Sequence, residues 1–301
     1  MKPLDELILP SFAKINLVLR VLNRRRDGYH ALETVFQTIG LHDVLTFRFF
    51  RSSRLHLVLD MGDSSIPADS LNLIWKACHV FDEEYPIRCK IEIEARKLIP
   101  SESGLGGGSS NGAVTLIALS RFLGWPLNRR KLISLARKLG SDIPFFLFGG
   151  TALGEGRGDR ITQLEDWPSL HTLIVCPEVG CSTAEVYRKL DESGFQKKRS
   201  FLNYQRPKSI KQLAARIEND LEPVVLALYP ELNAIKKKLH ELGAVTAALT
   251  GSGSAIFGLF RNKEELEQAS HHFSESYRTR FVSHDEYAGV TGSIDTKLEF
   301  H

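Results

Sequence analysis

Gly104-Leu105-Gly106-Gly107-Gly108-Ser109-Ser110-Asn111 stands between an alternating stretch and an apolar one. Upstream, Ile91, Ile93 and Ala95 alternate with Lys90, Glu92, Glu94 and Arg96, the period of a strand with one wet face. Downstream, residues 110–123 are mostly apolar and predict a helix. Four glycines in five residues cost chain entropy, which argues for a place where backbone amides come close to another group. Set against a helix N-terminus, they offer free N–H donors and the positive end of the helix dipole, and phosphate suits both. A flexible linker would have polar flanks, and these are firmly patterned. No Gly-Lys dipeptide occurs, so no Walker A loop is present; Asp-Phe-Gly and His-Arg-Asp are also missing, and Ser109 breaks the GxGxxG spacing. Gly108-Ser109-Ser110-Asn111-Gly112 does satisfy the G-x-S-x-G elbow of hydrolases, which leaves a Ser110 nucleophile open as an alternative.

Working outward, Ala13, Ile15, Leu17, Leu19 and Val21 alternate with Lys14, Asn16 and Arg20, a strand that ends before the Asp27-Gly28 turn. Further strands are expected toward Ile39, over 44–50, 55–59 and 170–176, up to Leu249, and over 255–260. Asp69 or Ser70 is placed to cap a helix carrying Leu71, Ile74, Trp75, Cys78 and Phe81. Helices are expected over 128–139, 209–228, 231–242 and 263–277. Helices mixed with amphipathic strands, without strict alternation, give an α+β chain in two layers.

The chain has 301 residues, enough for two domains, with 43% hydrophobic and 25% charged residues. That balance excludes disordered, collagen-like and coiled-coil classes. A formal net charge of +3 is too mild for a nucleic-acid coat. Cys78, Cys89, Cys176 and Cys181 form no CxxC pair and read as reduced thiols of a cytoplasmic protein. The opening MKPLDELILP has no apolar core of a signal peptide, and the most apolar stretch, 143–153, is too short to span a bilayer.

Several residues stand out, each with a plain structural reading beside the chemical one. Lys14 and Asn16 share a strand face that could be simply solvated. Asp142 precedes Pro144 and could be a helix N-cap. Tyr29 and His30 flank a turn, and Arg24-Arg25-Arg26 suits solvent, RNA or a diphosphate. Thr250-Gly251-Ser252-Gly253-Ser254 is a second close-approach loop.

Taken in order, these motifs resemble the GHMP kinases. The stretches that carry the resemblance are Ser11-Phe12-Ala13-Lys14-Ile15-Asn16-Leu17, Arg26-Asp27-Gly28-Tyr29-His30, the glycine loop, Ser141-Asp142-Ile143-Pro144-Phe145-Phe146 with Gly149-Gly150-Thr151-Ala152, Asn219-Asp220-Leu221-Glu222, and the 250–254 loop. The Asp-Gly-Tyr-His turn is similar to the branch acting on a cytidine-diphosphate-linked methylerythritol. The resemblance implies a ribosomal-protein-like α+β domain over 1–165 that binds ATP, a ferredoxin-like α+β domain over 166–301, and a site in the cleft between them. It implies ATP-dependent phosphorylation of the 2-hydroxyl of that cytidine diphosphate substrate, in non-mevalonate isoprenoid precursor synthesis. Asp142 is then the base and Lys14 stabilises charge. Pro100, Ser101, Glu102, Ser103, Gly104, Leu105, Gly106, Gly107, Gly108, Ser109 and Ser110 wrap the ATP phosphates, with Ser109 or Ser110 touching Mg²⁺. Asn16, Tyr29, His30 and Tyr187 lie on the substrate side, Tyr187 as a ring against the base. No metal-ligating set, nucleic acid or membrane is expected, and the chain is expected to be a monomer or weak homodimer. The chain departs from the family pattern in three places: Phe12 for proline, Ser101-Glu102-Ser103 for a small glycine-containing approach, and Gly112 for alanine. Glu102 near a triphosphate should point away or be neutralised by a cation.

Overall fold

A computed structural model describes residues 2–124, 129–194 and 205–292. The chain opens with two long antiparallel strands, β1 (Asp5–Arg24) and β2 (His30–Arg51). Between them Gly28 takes φ 86°, and the Asp27 carboxylate accepts from the Tyr29 amide at 3.2 Å. The two extended stretches expected before and after Ile39 form one strand. The register jumps from Phe12↔His42 to Ala13↔Ile39, so Gly40 and Leu41 are absorbed as a bulge instead of a turn.

Next come β3 (His56–Asp60), α1 (Leu73–Glu84) and β4 (Cys89–Arg96). Asn72, and not the expected Asp69 or Ser70, caps α1 through its side chain, 2.8 Å from the Ile74 amide, while Asp69 holds the preceding turn through the Leu71 amide. α2 (Gly107–Phe122) and α3 (Arg129–Leu139) follow, then a 3-10 turn (Ile143–Leu147), β5 (Thr151–Gly156) and β6 (Arg160–Gln163). The expected start of α3, Asn128, lies outside the described residues. The strands lie in the order β3-β4-β2-β1, with β5 on a further length of β2 and β6 beyond it. The helices cover one face of this sheet, where Phe47, Phe49, Ile91 and Ile93 meet Ile74, Phe81, Leu116 and Phe145.

The second half contains β7 (His171–Val175), α4 (Thr183–Glu192), α5 (Ile210–Ala214), β8 (Glu218–Asn219), α6 (Glu222–Leu228) and α7 (Pro230–Glu241). It ends with β9 (Thr246–Leu249), β10 (Ile256–Phe260), α8 (Lys263–Ser270), β11 (Ser276–Arg280) and α9 (His284–Thr291). Its own sheet runs β11-β7-β10-β9, all antiparallel, the 4-1-3-2 order of a ferredoxin-like unit. Two expected helices are shorter than predicted. The 209–228 stretch is broken because Glu218 and Asn219 pair in parallel with Val18 and Leu19, and the Asp220 carboxylate takes the Val21 amide at 2.9 Å. The 263–277 helix stops at Ser270, because Ser276 onward completes the second sheet against β7.

A third core cluster joins the halves, with Ala13, Ile15 and Leu17 of β1 packed among Ile174, Phe257 and Leu259. β1 is therefore buried on both faces. Lys14 and Asn16, each 3% exposed, are not a solvated row.

Candidate active site

The glycine loop is shaped by what surrounds it. Gly104 (φ 78°) passes so close to the 250–254 loop that a Cβ would stand 2.3 Å from the Thr250 carbonyl oxygen. Gly106 (φ 74°) is the N-cap of α2, and a Cβ there would meet the Phe146 ring at 2.9 Å and Lys14 Cε at 3.2 Å. Ser110 is the first residue of α2 whose amide reaches back to a helical carbonyl, that of Gly106 at 2.9 Å. The amides of Gly107, Gly108 and Ser109 thus have no helical acceptor, and no acidic side chain occupies the first turn. A 16-residue helix directs its positive end here. We expect Gly104→Ala to lower stability by about 2–3 kcal/mol, since a left-handed φ and a backbone clash add. Thermal melting checks this, and the KM for ATP should rise with it.

Lys14 lies under that helix end. Its amide donates to the Leu105 carbonyl at 2.9 Å, which ties β1 to the loop. Its ammonium stands 2.7 Å from Asn16 Oδ1 and 3.4 Å from Asp142 Oδ2, with the Phe36 ring 5.5 Å below. Asn16 donates to Thr34 Oγ1 at 2.7 Å, and its amide reaches Thr250 Oγ1 at 3.0 Å. Asp142 begins the 3-10 turn, but its side chain makes no cap bond. The capping reading fails, and Lys14 is the charged partner the structure gives this carboxylate.

At the far end of the cleft, the His30 ring stacks on the Tyr187 ring at 4.9 Å and 22°. His30 Nε2 lies 2.8 Å from Asp191 Oδ1, and Arg24 approaches the other oxygen at 3.8 Å. Tyr29 is 60% exposed with the Arg157 guanidinium 5.3 Å over its ring. Burial, and secondarily the Asp142 charge, push the Tyr187 phenol above its ordinary range, so it stays neutral. Arg25 pairs with Asp27, so two of the three consecutive arginines have carboxylate partners.

These groups share one cleft of about 1350 Å³. Of the residues expected from sequence, Lys14, Asn16, Tyr29, His30, Glu102, Gly104, Gly106, Ser109, Asp142 and Tyr187 line it. Pro100, Ser101, Ser103, Leu105, Gly107, Gly108 and Ser110 do not. Ser103 and Leu105 are buried and Ser110 is fully so, its hydroxyl 2.8 Å from that of Ser11. An elbow nucleophile must be exposed, so the hydrolase alternative falls. Glu102 has φ 52°, and its carboxylate extends toward Gly180. Of the two arrangements expected for Glu102, pointing away or pairing with a cation, no ion pair to a protein cation is found among the described residues. Ser252 of the 250–254 loop lines the cleft as well, and so do Thr34, Leu73, Arg157 and Thr183, which the sequence did not mark. Each of these four comes from a different part of the chain and carries no motif of its own.

A glycine-rich helix start facing a buried lysine–carboxylate pair, between a bulged sheet and a ferredoxin-like unit, defines a small-molecule kinase of the GHMP class. Residues 72–150 match the GHMP kinases N terminal domain, and 198–279 match the GHMP kinases C terminal domain. The chain is 39% identical to the 4-diphosphocytidyl-2-C-methyl-D-erythritol kinase of Pelotomaculum thermopropionicum, over 95% of this chain and 97% of that one. It is 38% identical to the enzyme of the same name from Moorella thermoacetica, over 93% and 99%. A crystal structure of 4-(cytidine 5'-diphospho)-2C-methyl-D-erythritol kinase superposes with a TM-score of 0.75 at 30% identity, covering 91% of this chain and 99% of that one. The crystal structure of L. major mevalonate kinase, at 17% identity, shares the fold with a TM-score of 0.70 over 94% of this chain and 98% of its own. The chain belongs to the 4-diphosphocytidyl-2-C-methyl-D-erythritol kinase family.

Proposed function

We propose that this chain transfers the γ-phosphoryl group of ATP to the 2-hydroxyl of 4-diphosphocytidyl-2-C-methyl-D-erythritol. The Lys14–Asp142 pair, set beside the free amides that open α2, is the observation that carries the reading. Asp142 accepts the hydroxyl proton as the oxygen forms its bond to the γ-phosphorus. The bond from that phosphorus to the β–γ bridging oxygen breaks, and ADP leaves with the electron pair. Lys14 has three N–H donors; Asn16 and Asp142 take two, and the third is available to the reacting oxygens. Gly104, Gly106 and Ser109, which line the cleft where α2 begins, hold the phosphates, with residues 1–165 supplying the ATP side and 166–301 closing the cleft.

Among the described residues, no three His, Cys, Asp or Glu side chains gather as a metal site. Mg²⁺ keeps waters and is held mainly through substrate phosphates with one or two protein oxygens, and Ser109 and Glu102, which both line the cleft, offer oxygens that would hold it. When bound, the metal neutralises charge between the phosphates. No helix among the described residues is long and apolar enough to cross a membrane. The four cysteines are all free and buried, which supports a reducing, cytoplasmic setting.

Incubation with ATP, Mg²⁺ and the cytidylyl substrate should release ADP in step with a new phosphomonoester seen by phosphorus NMR. Loss of ADP release with a 2-deoxy substrate completes the test, and ADP release indifferent to the substrate would reject the reading. Tyr187→Ala should raise the KM for the cytidylyl substrate about 5- to 150-fold, the equivalent of 1–3 kcal/mol of lost stacking, and leave the KM for ATP nearly unchanged. Steady-state kinetics in both substrates measures this, and equal damage to both KM values would place Tyr187 elsewhere.

A further inference from the structure

The network at the cleft mouth contains one residue that the proposed chemistry does not use. Asp191, on the last turn of α4, accepts from His30 Nε2 at 2.8 Å across the gap between the two halves of the molecule. His30 is otherwise held by its stack on Tyr187, and its side chain is only 10% exposed. A carboxylate can only accept, so in the neutral imidazole the one ring proton sits on Nε2. Nδ1, which bonds nothing among the described residues, then presents a lone pair in the cleft. An acceptor there matches the 4-amino donor of cytosine and opposes the 4-carbonyl acceptor of uracil.

We propose that Asp191 is a positioning residue that fixes the ring and tautomer of His30, and thereby makes the cleft select an aminopyrimidine over an oxopyrimidine nucleotide. The inference rests on the reading of this cleft as the cytidylyl site, but its test does not depend on turnover. A side chain at 40% exposure with no contact to the Lys14–Asp142 pair has no part in phosphoryl transfer itself. Its influence should fall on recognition.

The test is binding of CDP and UDP by calorimetry to wild type, Asp191→Ala, Asp191→Asn and Arg24→Gln. Wild type should prefer CDP by about 10- to 100-fold, the discrimination given by one well-placed base-edge contact. Asp191→Ala should bring that ratio to within about threefold by weakening CDP binding, with the melting temperature unchanged. Asp191→Asn keeps an acceptor oxygen for Nε2 and should restore most of the ratio. Arg24→Gln, which removes only the neighbouring charge, should leave the ratio intact. Retention of the wild-type ratio in Asp191→Ala would overturn the proposal, as would equal binding of CDP and UDP by wild type. If wild type prefers CDP through Asp191 yet phosphorylates no cytidylyl substrate, the positioning role stands and the proposed reaction fails.

Discussion

Asp142→Asn is expected to fold normally and bind both substrates, yet to lose roughly 10²–10⁴ in kcat. The turn that starts at Asp142 is held by the backbone: the Phe145 amide donates to the Asp142 carbonyl at 3.1 Å, and Phe145 and Phe146 are fully buried beneath it. Asparagine keeps all of this and the shape of the side chain. It cannot accept a proton from a hydroxyl, and it withdraws the negative charge that faces Lys14 at 3.4 Å. A capping residue would behave otherwise, with Asp142→Ala costing about 1 kcal/mol of stability and little turnover. Because the carboxylate caps nothing, we expect that alanine variant to melt within a few degrees of wild type while turning over as poorly as the asparagine variant. ADP-release kinetics and thermal melting on both proteins give the answer. Turnover of Asp142→Asn within a few-fold of wild type would remove Asp142 from the role of base.

What could be read before the fold was known follows a physical line. The glycine loop was legible because its composition is costly and its flanks are periodic, although α2 begins at Gly107, three residues before the expected start at Ser110. Of the loop, Glu102, Gly104, Gly106 and Ser109 line the cleft, and Gly104 and Gly106 are also required by Thr250 and Phe146, neighbours brought in by tertiary packing alone. The alternation around Lys14 identified a strand and left its polar face ambiguous. Period two reports that faces differ; it does not report that a helix from a hundred residues downstream covers the polar one. β8 and β11 were missed for a related reason. Two residues pairing with Val18 and Leu19 leave no periodic trace, and Ser276–Arg280 becomes a strand only because β7 offers an edge. Tyr187 and His30 were both anticipated on the substrate side. Their stack, and the Asp191 contact that closes it, depend on how α4 crosses toward the first hairpin, which no local pattern encodes.

The lysine opposite Asp142 permits a sharper separation of charge from packing. Lys14→Met keeps an unbranched side chain of similar length beside Phe36 and Gly106, in a position 3% exposed. The loss is confined to the ammonium. Asn16 Oδ1 still has the Thr250 hydroxyl at 3.3 Å, and Asp142, with a side chain 31% exposed, can recruit water. Removing a buried cation whose partner remains hydrated should therefore change stability by about 1 kcal/mol or less. Turnover is another matter. A donor aimed where negative charge develops typically contributes 10²–10³ in kcat, and we expect a fall of that order with a modest change in either KM. Lys14→Arg should not rescue it: a planar guanidinium is bulkier and points its donors differently, and the position is only 3% exposed, beside the Phe36 ring. On the proposed mechanism the pair serves one proton transfer, and the Lys14→Met/Asp142→Asn double variant should then fall little below the worse single variant. Rates measured under single-turnover conditions, with both substrates saturating, decide the point. Fully multiplicative losses would show that the two side chains serve independent steps, and the ammonium would then belong to phosphate binding instead of to the reacting hydroxyl.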